Sequence, residues 1–296
     1  MKSGYYSIYS TIQIKRNNLT ITSKTNDPSD VTIAGDAMSV DAKVGNIFRI
    51  AGQNIKISGL TIEKSGYHLI QIAGENGAQS PIIENNIFRD SYQQMIKVTF
   101  GEDKNNRVKN GIIRNNKFDY PAGIGPNWYI GGVDAHGIIN WQITNNYFAN
   151  IASPNKHIAE HAIHIWNQSE NNLVANNTIV NCDRGIGFGM GERGNEGGEI
   201  TGNKIYHQAN NHPFADVGIS LESSPNSVID SNIIILEHSY PAAIEYRFEH
   251  TTGAKIKDNI FNKPIRKRDS AQAKLTNNKL ISQQQSKTLI EKYFNH

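Results

Sequence analysis

Four short segments of this chain gather residues able to move protons and grip anions. They read Gln94-Met-Ile-Lys97, Gly132-Val-Asp134-Ala-His136, His161-Ala-Ile-His164-Ile-Trp166 and Arg184-Gly-Ile-Gly187. The same spacing returns in His68-Leu-Ile-Gln71, Val217-Gly-Ile-Ser220-Leu-Glu222 and Ala242-Ala-Ile-Glu245-Tyr-Arg247. In a strand, alternation sends the Ile or Val of each copy inward and its flanking residues outward. If the copies stack, one outward row holds Lys97, Asp134, His164, Gly187, Ser220 and Glu245. A second holds His136, Trp166, Glu222 and Arg247, and a third His68, Gln94, His161 and Arg184. An imidazole near a carboxylate can work as acid or base near neutral pH. Arg184 can grip a carboxylate bidentately, or pair structurally with Asp183 or Glu160. Lys97 and Asp134 can equally be an ordinary surface ion pair. The loop Tyr120–Ile130 brings Trp128 and Tyr129, aromatics that offer a stacking face or pack the loop itself.

Two further patterns carry less. Gly189-Met-Gly-Glu-Arg-Gly194 matches G-x-G-x-x-G, but no strand–helix unit surrounds it, so it reads as a glycine-rich loop. His157, His161 and His164 have metal-like spacing for a helix. On a strand, His161 and His164 face opposite sides in ideal alternation, and only a local bulge would bring both outward.

The elements that must position these rows are legible in composition. Among 296 residues there are 36 Asn and 42 Ile, a bias toward short strands separated by many turns. One block recurs, as Ile83-Glu-Asn-Asn86-Ile-Phe88, Ile113-Arg-Asn-Asn116-Lys-Phe118 and Ile143-Thr-Asn-Asn146-Tyr-Phe148. It continues with Asn177, Asn203, Asn232, Asn259 and Asn278, and Leu60 stands at the Asn position of an earlier copy. A period of roughly 20–30 residues without helical periodicity predicts coils that bury their Ile only by stacking. The repeated Asn suits a turn, and stacked copies would form an amide ladder. The expectation is all-β: a single parallel β-helix over 1–281, with nine to ten coils. Residues 282–296 drop the repeat and read as a short helix covering an exposed coil. A net charge of +3 is too weak to argue for nucleic acid, no apolar run is long enough to span a membrane, and one cysteine excludes a disulfide framework. Oligomeric state is left open.

With these Asn-Asn turns the chain resembles the right-handed parallel β-helix, or pectate-lyase-like, superfamily over roughly residues 10–280. That superfamily includes polysaccharide lyases, uronate epimerases, glycoside hydrolases and adhesins. The segment Gly132–His136 also resembles the Asp-Pro-His signature of mannuronan C5-epimerases. There Lys97 and His161 or His164 occupy places similar to that family's Lys and His. Ala135 stands where the family has Pro, and Tyr129 lies two residues farther from the Asp. The resemblance implies a polysaccharide or oligosaccharide partner and a secreted or periplasmic location. No apolar signal segment precedes the first strand, and a cytoplasmic location stays open. A calcium ion is a further expectation, with no ligands assigned.

The implied chemistry is removal of the C5 proton from a uronate residue, as polysaccharide lyases and C5-epimerases do. Lys97, Arg184 or a cation would neutralise the substrate carboxylate. His136 or His164 would take the proton, with Asp134 orienting it or holding the carboxylate in protonated form. Tyr129 or the other His would return a proton, and Trp166, Trp128, Tyr129, His161, Gln94, His68, Glu222 and Arg247 would line the sugar path. Two alternatives stand beside this reading. One is a glycoside hydrolase using Glu222 and Glu245, on adjacent coils and within reach of the inverting separation. The other is a non-catalytic glycan-binding or adhesive solenoid.

Overall fold

The structure is a computed structural model that describes residues 1–155, 157–210 and 212–294. The chain winds through about nine turns. Its strands form three long parallel sheets of eleven, ten and ten members and a short four-stranded one. Every pairing between neighbouring strands of the long sheets is parallel, as stacking of successive coils requires.

The Asn-Asn pair divides its work between two positions. The first residue takes the left-handed conformation, with φ near 56° at Asn85, Asn115 and Asn176, and Gly202, Ser231 and Asp258 fill the same place later. Asn and Gly tolerate that region best. The second residue turns inward and builds the ladder. Asn116 donates its backbone N–H and its Nδ2 to Asn146 Oδ1, both at 3.0 Å. The pattern runs unbroken from Asn86 to Asn278. Leu60 ends it, with its N–H donating to Asn86 Oδ1.

Ladder and core support each other. Between the sheets lies one continuous Ile-rich cluster, and Phe88, Phe118 and Phe148 stack in it with ring centroids 4.8 and 4.5 Å apart. Burying each such side chain contributes roughly 1.5–3 kcal/mol. Asn146→Ala would strand Asn116 donors in this dry interior, at about 1–3 kcal/mol for each unsatisfied group. Asn145→Gly, one residue earlier, should stay within about 0.5 kcal/mol of wild type because glycine accepts φ > 0. Denaturant midpoints of the two variants test this division, and equal losses would contradict it.

The C-terminal segment forms one helix, Gln283–Tyr293, started by a Ser282–Gln285 capping box. Its end reaches back to Tyr206, whose ring lies 5.2 Å from Phe294. Leu275 and Leu280, in the last coil, remain 48% and 60% exposed. The helix packs back toward the strand Lys204–His207 and leaves these two leucines open.

Candidate functional site

The predicted rows lie on one ten-stranded sheet, and its register is as expected. Lys97 pairs with Asp134, Asp134 with His164, His164 with Gly187, Gly187 with Ser220, and Ser220 with Glu245. His136 pairs with Trp166, Glu222 with Arg247, and His161 with Arg184.

One expectation fails at the start of these strands. His161 and His164 share a face, with ring centroids 4.4 Å apart. The register shows no bulge, since His161–Arg184 and His164–Gly187 keep the same offset. Instead two consecutive residues, Ala162 and Ile163, both enter the core, as Leu69–Ile70 and Met95–Ile96 do on earlier coils. That doublet resets the alternation. Gly187 leaves room for the His161 ring, because a Cβ there would lie 2.7 Å from His161 Nε2.

The side chains separate into two groups. Lys97, Asp134, His136 and Trp166 form a closed cluster. Lys97 Nζ bonds Asp134 Oδ2 and lies 2.9 Å from His136 Nε2. Trp166 Nε1–H donates to Asp134 Oδ1 at 2.7 Å. The Arg193 guanidinium covers the Trp166 ring at 4.2 Å, and the His136 ring lies 4.1 Å from it. Trp166 is only 7% exposed, so it is no open sugar platform; its indole holds the Asp134 carboxylate. Lys97 sets its charge against Asp134, and its ammonium closes off His136 Nε2. Neither side chain lines the adjoining cleft.

Burial alone would raise the Asp134 pKa. The Lys97 ammonium, with His136 and His164, overrides burial and holds the carboxyl well below the usual range. The ion pair with Lys97 is thus the arrangement that favours the carboxylate form of Asp134.

The second group lines a cleft of about 210 Å³ and includes Glu160, His161, His164, Arg184, Glu222 and Arg247. His164 lies at the boundary between the groups. Its Nε2–H donates to the Gly189 carbonyl at 3.1 Å, and its Nδ1 lies 3.8 Å from Asp134 Oδ1 and 3.9 Å from Glu160 Oε2. Burial lowers the His164 pKa against the upward pull of those carboxylates. Burial, with His164 and Arg184 nearby, pushes His161 well down. Arg184 pairs with Asp216 at 3.3 Å rather than with Asp183 or Glu160.

The remaining predicted residues are more dispersed. His68 Nδ1–H donates to the Gln94 carbonyl at 2.9 Å, a contact between coils. Gln94 is fully buried beside Gly131. Trp128 and Tyr129 line a separate groove with Tyr92, Gln93 and Asn127, which leaves Tyr129 outside the cleft. Glu222 accepts from the Gly191 N–H at 2.7 Å, and Arg247 lies 3.6 Å away. Glu245 accepts from the Tyr240 hydroxyl at 2.7 Å and faces Arg266 and Arg268.

Cleft residues without a predicted role include Asp216, Tyr240 and Arg268. Asp216 had a usable signal: Glu160, Asp183 and Asp216 each stand one residue before a copy of the third row. Tyr240 comes from a loop with no repeat to mark it.

Several histidines are neutral by burial, which gives stability a pH dependence. Burial lowers His68 to about 4 and His238 to about 3, and it also lowers His207. Their unfolded value is about 6.5, so the unfolded chain binds more protons below that pH. Stability is then fully present above about pH 6.5 and declines as pH falls toward 4. Unfolding midpoints at neutral and mildly acidic pH test this, and His68→Gln should flatten the slope. A midpoint that rises on acidification would contradict it.

Comparison with known proteins places the fold. The sequence matches no protein family and no curated protein. Among solved structures, DFA-IIIase from Arthrobacter chlorophenolicus superposes with TM-score 0.52 at 11% identity, covering 95% of this chain and 82% of that one. An endo-xylogalacturonan hydrolase from Aspergillus tubingensis gives 0.47 at 11%, with 93% and 76% covered. A periplasmic alginate epimerase gives 0.47 at 12%, with 94% and 71% covered. At such identity what these structures share with this chain is the parallel β-helix fold alone.

Proposed function

We propose that this protein acts on an acidic, uronate-containing saccharide by removing the proton at C5, with His164 as the base. The observation that carries the reading is the fixed tautomer of His164. Its Nε2–H is committed to the Gly189 carbonyl, which leaves a lone pair on Nδ1 between Asp134 and Glu160 in the cleft wall. A base kept neutral by burial, beside carboxylates that steady it once protonated, suits this step.

In the proposed reaction the C5 proton passes to His164 Nδ1, and the electron pair it leaves is drawn into the substrate carboxylate. Arg184, from the same cleft, neutralises that carboxylate. Asp134 acts as a positioning residue: it stays ionised and stabilises the imidazolium without touching substrate. Return of a proton from the opposite face gives the epimer. Breakage of the C4–O4 bond gives an unsaturated end, the lyase outcome. The saccharide-active fold neighbours and the acid–base cleft support this reading. The Glu222/Glu245 hydrolase has less support, because arginines face both carboxylates.

The test is incubation with alginate, pectate and glycosaminoglycans under three readouts. The expected result is unsaturated product or exchange of the C5 proton. New reducing ends alone would favour the hydrolase, and binding without turnover would leave only a glycan-binding protein. Either result overturns the proposal. Among the described residues no helix is long and apolar enough to cross a membrane. We further propose a secreted or periplasmic place of action, which cell fractionation would check.

A further inference from the structure

We propose that Glu160, His161 and His164 form a binding site for a first-row divalent transition ion of the zinc type. One ligand atom from each lies within 4.8 Å of the other two. Tetrahedral zinc with bonds of about 2.0–2.1 Å sets its ligand atoms roughly 3.3 Å apart. Side-chain rotation closes that difference, and Glu160, with its side chain 20% exposed, has room to swing.

Both imidazoles are oriented as metal ligands usually are, with one ring nitrogen tied to a supporting group and the other free. His164 gives Nε2–H to the Gly189 carbonyl, which leaves Nδ1 3.9 Å from Glu160 Oε2. His161 holds Nε2 3.3 Å from Ser220 Oγ. Its Nδ1 is buried with no hydrogen-bond partner among the described residues.

A second, independent observation comes from Gln94. It is fully buried, and both of its amide atoms lack partners among the described residues. It packs beside Gly131, where a Cβ would lie 3.2 Å from Gln94 Cγ and 3.5 Å from Glu160 Cβ. A buried amide left unpaired costs about 1–3 kcal/mol, which an ordered water on the Glu160 side of Gly131 would relieve.

The donor set selects the ion. Two imidazoles and one carboxylate suit zinc, cobalt, iron or manganese. Calcium prefers six to eight oxygens, so the calcium expectation does not fit these residues. Arg184, paired with His161 across the sheet, is balanced by Asp216. An ion here takes the His164 Nδ1 lone pair, so the metal-loaded chain should be inactive. That last consequence rests on the base assignment above; the binding itself does not.

The test is calorimetric titration of the untagged, chelator-treated full chain with zinc chloride. Wild type should bind a single equivalent that calcium does not displace. Glu160→Gln should weaken binding by more than about tenfold, and His161→Gln should remove it. Far-ultraviolet circular dichroism checks that both variants stay folded; if His161→Gln does not, the partly exposed Glu160→Gln decides. No saturable binding by wild type, or unchanged affinity in folded Glu160→Gln, would overturn the site whatever the chain's activity. Zinc binding by a chain inert on all three polyanions would uphold the site and sink only the base assignment.

Discussion

Asp134→Ala is expected to destabilise the fold by about 3–5 kcal/mol, the usual cost of leaving one member of a buried ion pair alone. The Lys97 side chain is only 10% exposed, and Asp134 is its anionic partner. Removing the carboxylate also leaves Trp166 Nε1 without its acceptor in a stack closed by Arg193 and His136. Lys97→Met in the Asp134→Ala background should recover part of the loss, because the stranded charge goes with it. The two effects are therefore non-additive. Denaturant unfolding of the two single variants and the double variant measures this coupling. A loss under about 1 kcal/mol for Asp134→Ala would mean the pair behaves as an exposed one.

His164→Gln carries the largest expected effect on activity, a fall of roughly 10²–10⁴ in kcat, the usual contribution of a positioned base. Gln can still donate to the Gly189 carbonyl, so the fold should survive. What it lacks is a basic lone pair. His136→Gln should lose less, since the Lys97 bond occupies His136 Nε2 and the residue does not line the cleft. Turnover and unfolding midpoints measured together separate the roles. Equal activity losses in folded His164→Gln and His136→Gln would return the base assignment to either histidine.

The sequence made the solenoid legible because its cause is periodic. Asn86 through Asn278 recur at the spacing of one coil, and each amide bonds the next. Register is legible for the same reason: inward Ile and Val fix which residues share a row, so Lys97, Asp134 and His164 align by sequence alone. What periodicity does not encode is where a side chain turns once it leaves the sheet. Trp166 stood in the right row, yet Arg193, from a glycine loop with no repeat register, covers its ring. The Ala162–Ile163 doublet needed the packed core to show it. Tyr240 enters the cleft from a connection of irregular length, whose path stacking does not dictate.

The most direct measurement is solvent deuterium at C5 of a uronate oligosaccharide incubated in heavy water. Wild type should place deuterium at C5 or yield the unsaturated product. His164→Gln, folded to the same degree, should do neither. A wild-type chain that leaves C5 untouched in alginate, pectate and glycosaminoglycan oligomers alike would contradict the account. So would a His164→Gln variant that exchanges C5 as fast as wild type.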